Sequence, residues 1–314
     1  MRVETVNYTS AGLTCAADLY LPDTPGPVPG VVCGESGVKV KEMIAAPAKY
    51  LVEAGFAVLA IDYRSTGGSE GEPRGQLFPE QQVTDFRNAI SYLQGRDEVD
   101  ADRIGIWGNS VAGSVVIQTA VLDRRIGCVV AQSPSMLNGW SATLKIAGSP
   151  AFGKLRDSLQ ADFEQRAGSH DGQAVPWLQF GKAGDEVSQS YVDLADSYPS
   201  FRNEILLESH EHFLTWAPEY LIDRLAPTPL LIVTNGGPDP YHELSEVQTS
   251  FAKAGQPKHL EILPFDAMGL YSEPGLGAAM KQAVDWFDRY LRRTPLPALS
   301  PKAQDISLTA GAQR

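Results

Sequence analysis

The stretch Ile104–Gly105–Ile106–Trp107–Gly108–Asn109–Ser110–Val111–Ala112–Gly113 decides how this sequence folds. Residues 104–107 form an apolar run of strand type, and residues 112–121 read as a helix. Ser110 therefore lies on the turn between a strand and a helix, where a nucleophile elbow belongs. Such a turn is sharp, and it needs small neighbours so that strand and helix can approach. Gly108 supplies one, Ala112 stands at the second small position, and Gly113 follows at once. The N–H of Val111, at the helix start, points where an oxyanion would develop. The competing interpretation is an ordinary strand-to-helix turn capped by a serine.

Outward from this turn the alternation repeats. Residues 31–33, 57–61, 128–131, 230–233 and 260–263 are short apolar strands. Residues 43–54, closed by Gly55, and 82–93 carry helical patterns between them. Near-continuous apolar strands alternating with helices predict an α/β fold with a mostly parallel sheet covered on both faces. Residues 135–227 break the rhythm. They hold aromatics such as Trp140, Trp177 and Phe213 but no convincing core strand. A helical cap inserted between core segments 1–134 and 228–293 is expected there, with extra helices on the sheet's flank as the alternative. Residues 277–293 read as the last helix, and the apolar-poor tail 294–314 as an extended arm.

Composition narrows the function. With 43% hydrophobic and 20% charged residues, the chain has the makeup of a folded globular protein. No run approaches the ~18 apolar residues of a membrane span. The net charge of −12 disfavours nucleic acid as a partner. Cys15, Cys33 and Cys128 have no zinc-like spacing and read as buried free thiols of a reducing cytoplasm. The N-terminal MRVETVNYTS lacks the pattern of a secretory signal. Gly34-x-x-Gly37 is too loose for a phosphate loop. No metal and no cofactor is implied, and the expected partner is a small-molecule substrate. Nothing in the sequence speaks to oligomeric state.

Over roughly residues 15–293 the chain resembles the α/β-hydrolase superfamily, near its dienelactone-hydrolase-like, acyl-peptidase-like and polyketide-transferase-type members. The resemblance rests on the elbow and on Gly34–Glu35–Ser36–Gly37–Val38–Lys39–Val40–Lys41–Glu42. It rests also on Asp62–Tyr63–Arg64–Ser65–Thr66–Gly67–Gly68–Ser69 and on Ala226–Pro227–Thr228–Pro229–Leu230–Leu231. It implies an α/β-hydrolase fold under a helical cap, with Ser110 as nucleophile and Asp239 at the acid position. The oxyanion hole would lie at Val111 and near Glu35. Asp62 and Arg64 would form a loop-bracing ion pair, and Asp85 an exposed or capping charge.

One segment departs from the family pattern. The family's histidine follows the last strand in a segment like P-G-G-H-F-D-x-Y. Here the span reads Pro264–Phe265–Asp266–Ala267–Met268–Gly269–Leu270–Tyr271, so Ala267 stands in the histidine's place. A serine without a base is a weak nucleophile. The candidate replacements are Glu35, His242, His210 and His212, each of which also has a plain structural reading. Three functions stay open: hydrolysis or acyl transfer on an acyl, lactone or β-dicarbonyl substrate; a lyase, isomerase or cyclase that has abandoned the triad; and a ligand-binding protein without catalysis.

Overall fold

The structure is a computed structural model that describes residues 1–169, 172–177, 193–239 and 241–293. The tail 294–314 and His170 lie outside the described residues.

Eight strands form the main sheet: β1 (Arg2–Ser10), β2 (Leu13–Leu21), β3 (Val28–Gly34), β4 (Ala57–Ile61), β5 (Val99–Asn109), β6 (Ile126–Gln132), β9 (Leu230–Asn235) and β10 (Lys258–Leu263). Their spatial order is β1-β2-β4-β3-β5-β6-β9-β10. From β4 to β10 every pairing is parallel, while β1–β2 and β2–β4 are antiparallel. The mostly parallel sheet of the sequence reading is therefore present, extended at one edge by a hairpin that the reading did not contain. That hairpin turns on Ala11 and Gly12, both at positive φ, between the paired Ser10 and Leu13. Two central residues at positive φ match the twist of a tight hairpin.

Helices cover both faces. On one side lie α2 (Pro79–Gln94) and α3 (Val111–Leu122); on the other lie α1 (Ala45–Glu53) and α8 (Gly275–Phe287). Successive side chains of a strand point to opposite faces. In β4, Ala57, Leu59 and Ile61 join the α2/α3 core, while Val58 and Ala60 join the α1/α8 core. A strand buried on both faces must be apolar at every position, which is why these runs lack polar alternation. At Gly105 in β5 an added Cβ would lie 2.6 Å from the Phe287 ring, so the glycine lets α8 seat its last aromatic on the sheet.

Between β6 and β9 the chain leaves the sheet. It forms α4 (Gly139–Ala147), α5 (Ser149–Ser169), the short strands β7 (Ala174–Pro176) and β8 (Glu204–Leu206), and α6 (Ser209–Thr215). β7 and β8 pair only with each other. The chain then returns to the sheet at β9, and α7 (Leu244–Lys253) connects β9 to β10.

Two expectations about the loop after β4 are corrected. Arg64 pairs with Asp85 rather than Asp62: its Nε lies 2.7 Å from Oδ1. Asp85 is 1% exposed, not at the surface, and it also accepts from the Ser10 hydroxyl. The Asp62 carboxylate instead accepts the backbone N–H groups of Lys41 (2.7 Å) and Gly68 (2.9 Å), bracing the loop without a cation. The three cysteines are buried and free, as expected. No described helix is long and apolar enough to cross a membrane.

Candidate active site

Ser110 stands between β5 and α3 with φ 49° and ψ −119°. A non-glycine residue at positive φ is strained, and it persists only where its surroundings over-determine it. Three contacts do so here. The Ser110 N–H donates to the Gln132 carbonyl (2.9 Å), and its own carbonyl accepts from Gly113 (2.9 Å) and Ser135 (3.0 Å). Crowding then explains the small neighbours. A Cβ on Gly108 would lie 2.5 Å from the Ala112 carbonyl oxygen, and one on Gly113 would lie 2.9 Å from Pro134 Cα.

His242 reaches this serine from the loop after β9. Its Nε2 lies 2.9 Å from Ser110 Oγ, and its Nδ1 lies 2.7 Å from Asp239 Oδ2. Asp239 Oδ1 accepts the backbone N–H groups of Tyr241 (2.8 Å) and His242 (3.0 Å), which curls the loop so that acid and imidazole meet three residues apart. Burial works against ionisation of the Asp239 carboxyl. The hydrogen bond and charge of His242, with the two backbone donors, outweigh it and hold the pKa below the ordinary value.

The hydrogen-bond directions follow from Asp239. An ionised carboxylate can only accept, so His242 Nδ1 carries the proton and donates. Nε2 is then an acceptor and takes the Ser110 O–H. Ser110 Oγ retains lone pairs, and the Ser135 hydroxyl lies 3.2 Å away to donate to one of them. The Tyr271 hydroxyl is 3.4 Å from the same Nε2.

The serine opens into a cavity of about 90 Å³. Its walls include Val111, Met136, Ile146, Trp177, Phe213 and Met268, an apolar set around a few polar groups. The Val111 N–H faces the cavity side and meets the Ser36 hydroxyl at a long 3.4 Å, which leaves this donor weakly engaged.

The remaining sequence candidates fall in different places. Ala267 lines the cavity with Ser110. Of the candidate replacement bases, it is His242 whose ring takes the hydrogen-bonding position on Ser110 Oγ. His210 is buried in the same wall but makes no hydrogen bond to Ser110 in this geometry, and burial lowers its pKa to about 4. His212 lies elsewhere, stacked on Phe78 with ring centroids 4.0 Å apart and 3.3 Å from Glu80.

Glu35 is buried behind the elbow. It accepts from Asn109 Nδ2 at 2.6 Å and lies 3.4 Å from Lys39 Nζ. Burial raises its pKa, and Lys39 and Asn109 partly oppose the rise. Ser36, the next residue, lines the cavity where Glu35 does not. Sequence reasoning did not single out Ser36, Ser135 or Tyr271 as site residues. Ser36 and Ser135 follow strands that flank the elbow strand, and their place at that edge was the available signal.

Among the described residues no cluster of histidine, cysteine or carboxylate side chains could hold a metal ion.

Comparison with known proteins bears on the family and the fold. Quorum-quenching protein AidA of Acinetobacter baumannii is 34% identical over 165 residues, which span 50% of this chain and 54% of AidA. Polyketide transferase ATR5 of Stachybotrys chlorohalonatus is 28% identical over 236 residues, covering 74% of this chain and 78% of its own. The crystal structure of the alpha/beta hydrolase GrgF from Penicillium superposes with a TM-score of 0.79, at 20% identity, over 93% of this chain and 99% of GrgF. The fold is thus that of the α/β hydrolases, and the relatives support an enzyme of hydrolase fold. Residues 12–259 match the model of the X-Pro dipeptidyl-peptidase (S15) family, and the chain belongs to that family.

Proposed function

We propose that this chain transfers acyl groups of small molecules, to water or to a second substrate, through Ser110 as nucleophile. The observation that carries the reading is His242, hydrogen-bonded at 2.9 Å to Ser110 and at 2.7 Å to Asp239. A base held in one tautomer by an ionised acid is what a serine nucleophile needs.

The steps balance. Ser110 Oγ attacks the acyl carbonyl while His242 Nε2 takes its proton. The carbonyl oxygen becomes an oxyanion and accepts from the Val111 N–H at the α3 N-terminus. Collapse expels the leaving group, which takes the proton from His242, and leaves an acyl ester on Ser110. Water or an acceptor hydroxyl then repeats the cycle, with His242 again as base. Asp239 stays ionised throughout and stabilises the imidazolium.

Residues 135–227 act in this reading as a cap that sets specificity. The support is their share of the cavity wall: Thr143, Ile146, Trp177, His210 and Phe213 face Ser110. The apolar lining favours an acyl, lactone or β-dicarbonyl group of modest size. A lyase or silent binder remains the rival, and one experiment separates them. A fluorophosphonate should label Ser110 stoichiometrically, and His242→Ala should slow labelling by at least a hundredfold. Equal labelling rates in both proteins would remove His242 as base.

A further inference from the structure

Tyr271 brings a second hydroxyl to the proton-carrying nitrogen of His242. It lines the cavity of Ser110, and its Oη lies 3.4 Å from Nε2, while Ser110 Oγ lies 2.9 Å from the same atom. The residue is held from its backbone and from its ring. Its N–H donates to the Met268 carbonyl at 3.1 Å. The preceding residue, Leu270, is fully buried, and its carbonyl accepts from Gln132 Nε2 at 3.0 Å. The phenol ring has its centroid 6.2 Å from that of His242 and 5.3 Å from Lys39 Nζ, within the reach of a cation–π attraction. An imidazole nitrogen has one lone pair, and in the resting site the Ser110 O–H uses it. Tyr271 is there a neighbour of Nε2 rather than its partner, which accounts for the longer distance.

That relation changes once His242 has taken the serine proton. Nε2–H is then a donor, and a phenol oxygen can accept one proton while giving up another. The expelled group must receive a proton, yet Nε2–H still points at Ser110 Oγ, the atom newly bonded to the acyl carbon. Direct transfer requires the ring or the leaving atom to shift toward the other. A hydroxyl beside Nε2 removes that requirement, and catalytic contacts that are long in an empty site tighten when substrate binds. We propose that Tyr271 is a catalytic residue, a proton relay between His242 Nε2 and the leaving group. As the bond from the acyl carbon to the leaving atom breaks, that atom keeps the electron pair and takes the phenol proton, and Oη takes the proton of Nε2. His242 returns to neutral and Tyr271 ends as it began, so protons and charge balance. Deacylation uses the path in reverse: the O–H of water or of an acceptor gives its proton to Oη while the phenol proton passes to Nε2. The Lys39 ammonium near the ring, itself 3.4 Å from Glu35, favours the partial negative charge on Oη when the phenol proton leads. This inference rests on the acyl-transfer reading and adds a second moving proton to it.

The dependence of rate on the leaving group tests the relay. kcat/KM, which reports acylation, is measured for the acetate esters of p-nitrophenol, phenol, trifluoroethanol and ethanol with the wild type and with Tyr271→Phe. p-Nitrophenoxide leaves with little help from a proton, whereas ethoxide needs a full one. The variant should lose a few-fold on the first ester and about a hundredfold on the last, the scale of general acid catalysis. Its plot of log kcat/KM against leaving-group pKa should therefore be steeper than that of the wild type. A residue that only packs would lower the whole series by one factor, and parallel plots would overturn the relay. The wild type gives a second readout that depends on no variant. Its kcat/KM on trifluoroethyl acetate in mixtures of light and heavy water should follow a bowed curve, because two protons move together, and a straight line would equally overturn the relay. Failure of a fluorophosphonate to label Ser110, with no turnover of p-nitrophenyl acetate, would instead sink the acyl-transfer reading on which the relay stands.

Discussion

Asp239 and His242 are three residues apart on one loop, and their side chains meet at 2.7 Å. The acid and the base of the proposed mechanism are therefore a local unit, held by the two backbone N–H groups that Asp239 also accepts.

This unit predicts how activity is lost. His242→Ala should lower kcat on an activated ester by about 10³- to 10⁴-fold, and Asp239→Asn by a similar order, because each removes the base or its tautomer. The double variant should be little worse than His242→Ala, since the two residues act together. Ala267→Val, by contrast, should change KM and leave kcat within a few-fold. Steady-state kinetics on one p-nitrophenyl ester checks all four variants, and a large kcat loss at Ala267 alone would contradict the assignment.

In the proposed mechanism Ser135 is a positioning residue, its hydroxyl 3.2 Å from Ser110 Oγ. Ser135→Ala should reduce kcat about three- to tenfold with KM nearly unchanged, the effect of one modest hydrogen bond. Ser135→Thr, which keeps the hydroxyl, should recover most of the loss. A pure packing defect would not be rescued by the bulkier residue.

Gly108→Ala tests the turn. The new Cβ would have to sit 2.5 Å from a backbone carbonyl that cannot swing away cheaply. The variant should lose about 1–3 kcal/mol of stability in denaturant unfolding, together with serine labelling by fluorophosphonate. Retention of both would show that the turn has slack the geometry does not display.

His210 gives a pH signature. Burial lowers its folded pKa from 6.5 to about 4, so between these values the unfolded chain binds a proton that the folded chain refuses. The contribution is present above pH 6.5 and is lost as pH falls toward 4, by about 3 kcal/mol when complete. The unfolding free energy of the wild type minus that of His210→Asn should therefore rise with pH across this window and be flat above it. A difference that stays flat from pH 4 to 7 would rule out the buried neutral imidazole.

The parts legible in the sequence were those governed by local constraint. The elbow announced itself because Gly108, Ser110 and Ala112 must be small, strained and small within five residues. Central strands were visible because burial on both faces demands uninterrupted apolar runs. The hairpin β1–β2 was not, because β1 lies at the sheet edge with one face exposed and its sequence mixes charges with Val and Tyr. His242 was named but not preferred over other bases. Its reach to Ser110 spans 132 residues and depends on how the Asp239 loop curls, which hydrogen bonds to Asp239 Oδ1 decide. Asp85 was misread for a related reason. Its partner Arg64 lies 21 residues away on another element, and no periodicity reports such a pair.

Gln132 ties the loop that carries Ala267 to the elbow: its main-chain carbonyl accepts from the Ser110 N–H, and its side-chain Nε2 donates to the Leu270 carbonyl at 3.0 Å. With the imidazole supplied from another loop in the proposed mechanism, Ala267 and Met268 carry no proton-handling duty there and still line the cavity of Ser110. These two positions are thereby released to change with the shape of whatever is bound. A chain built this way can acquire a new ligand by altering a single short loop while the hydrogen-bonded serine, imidazole and carboxylate stay as they are.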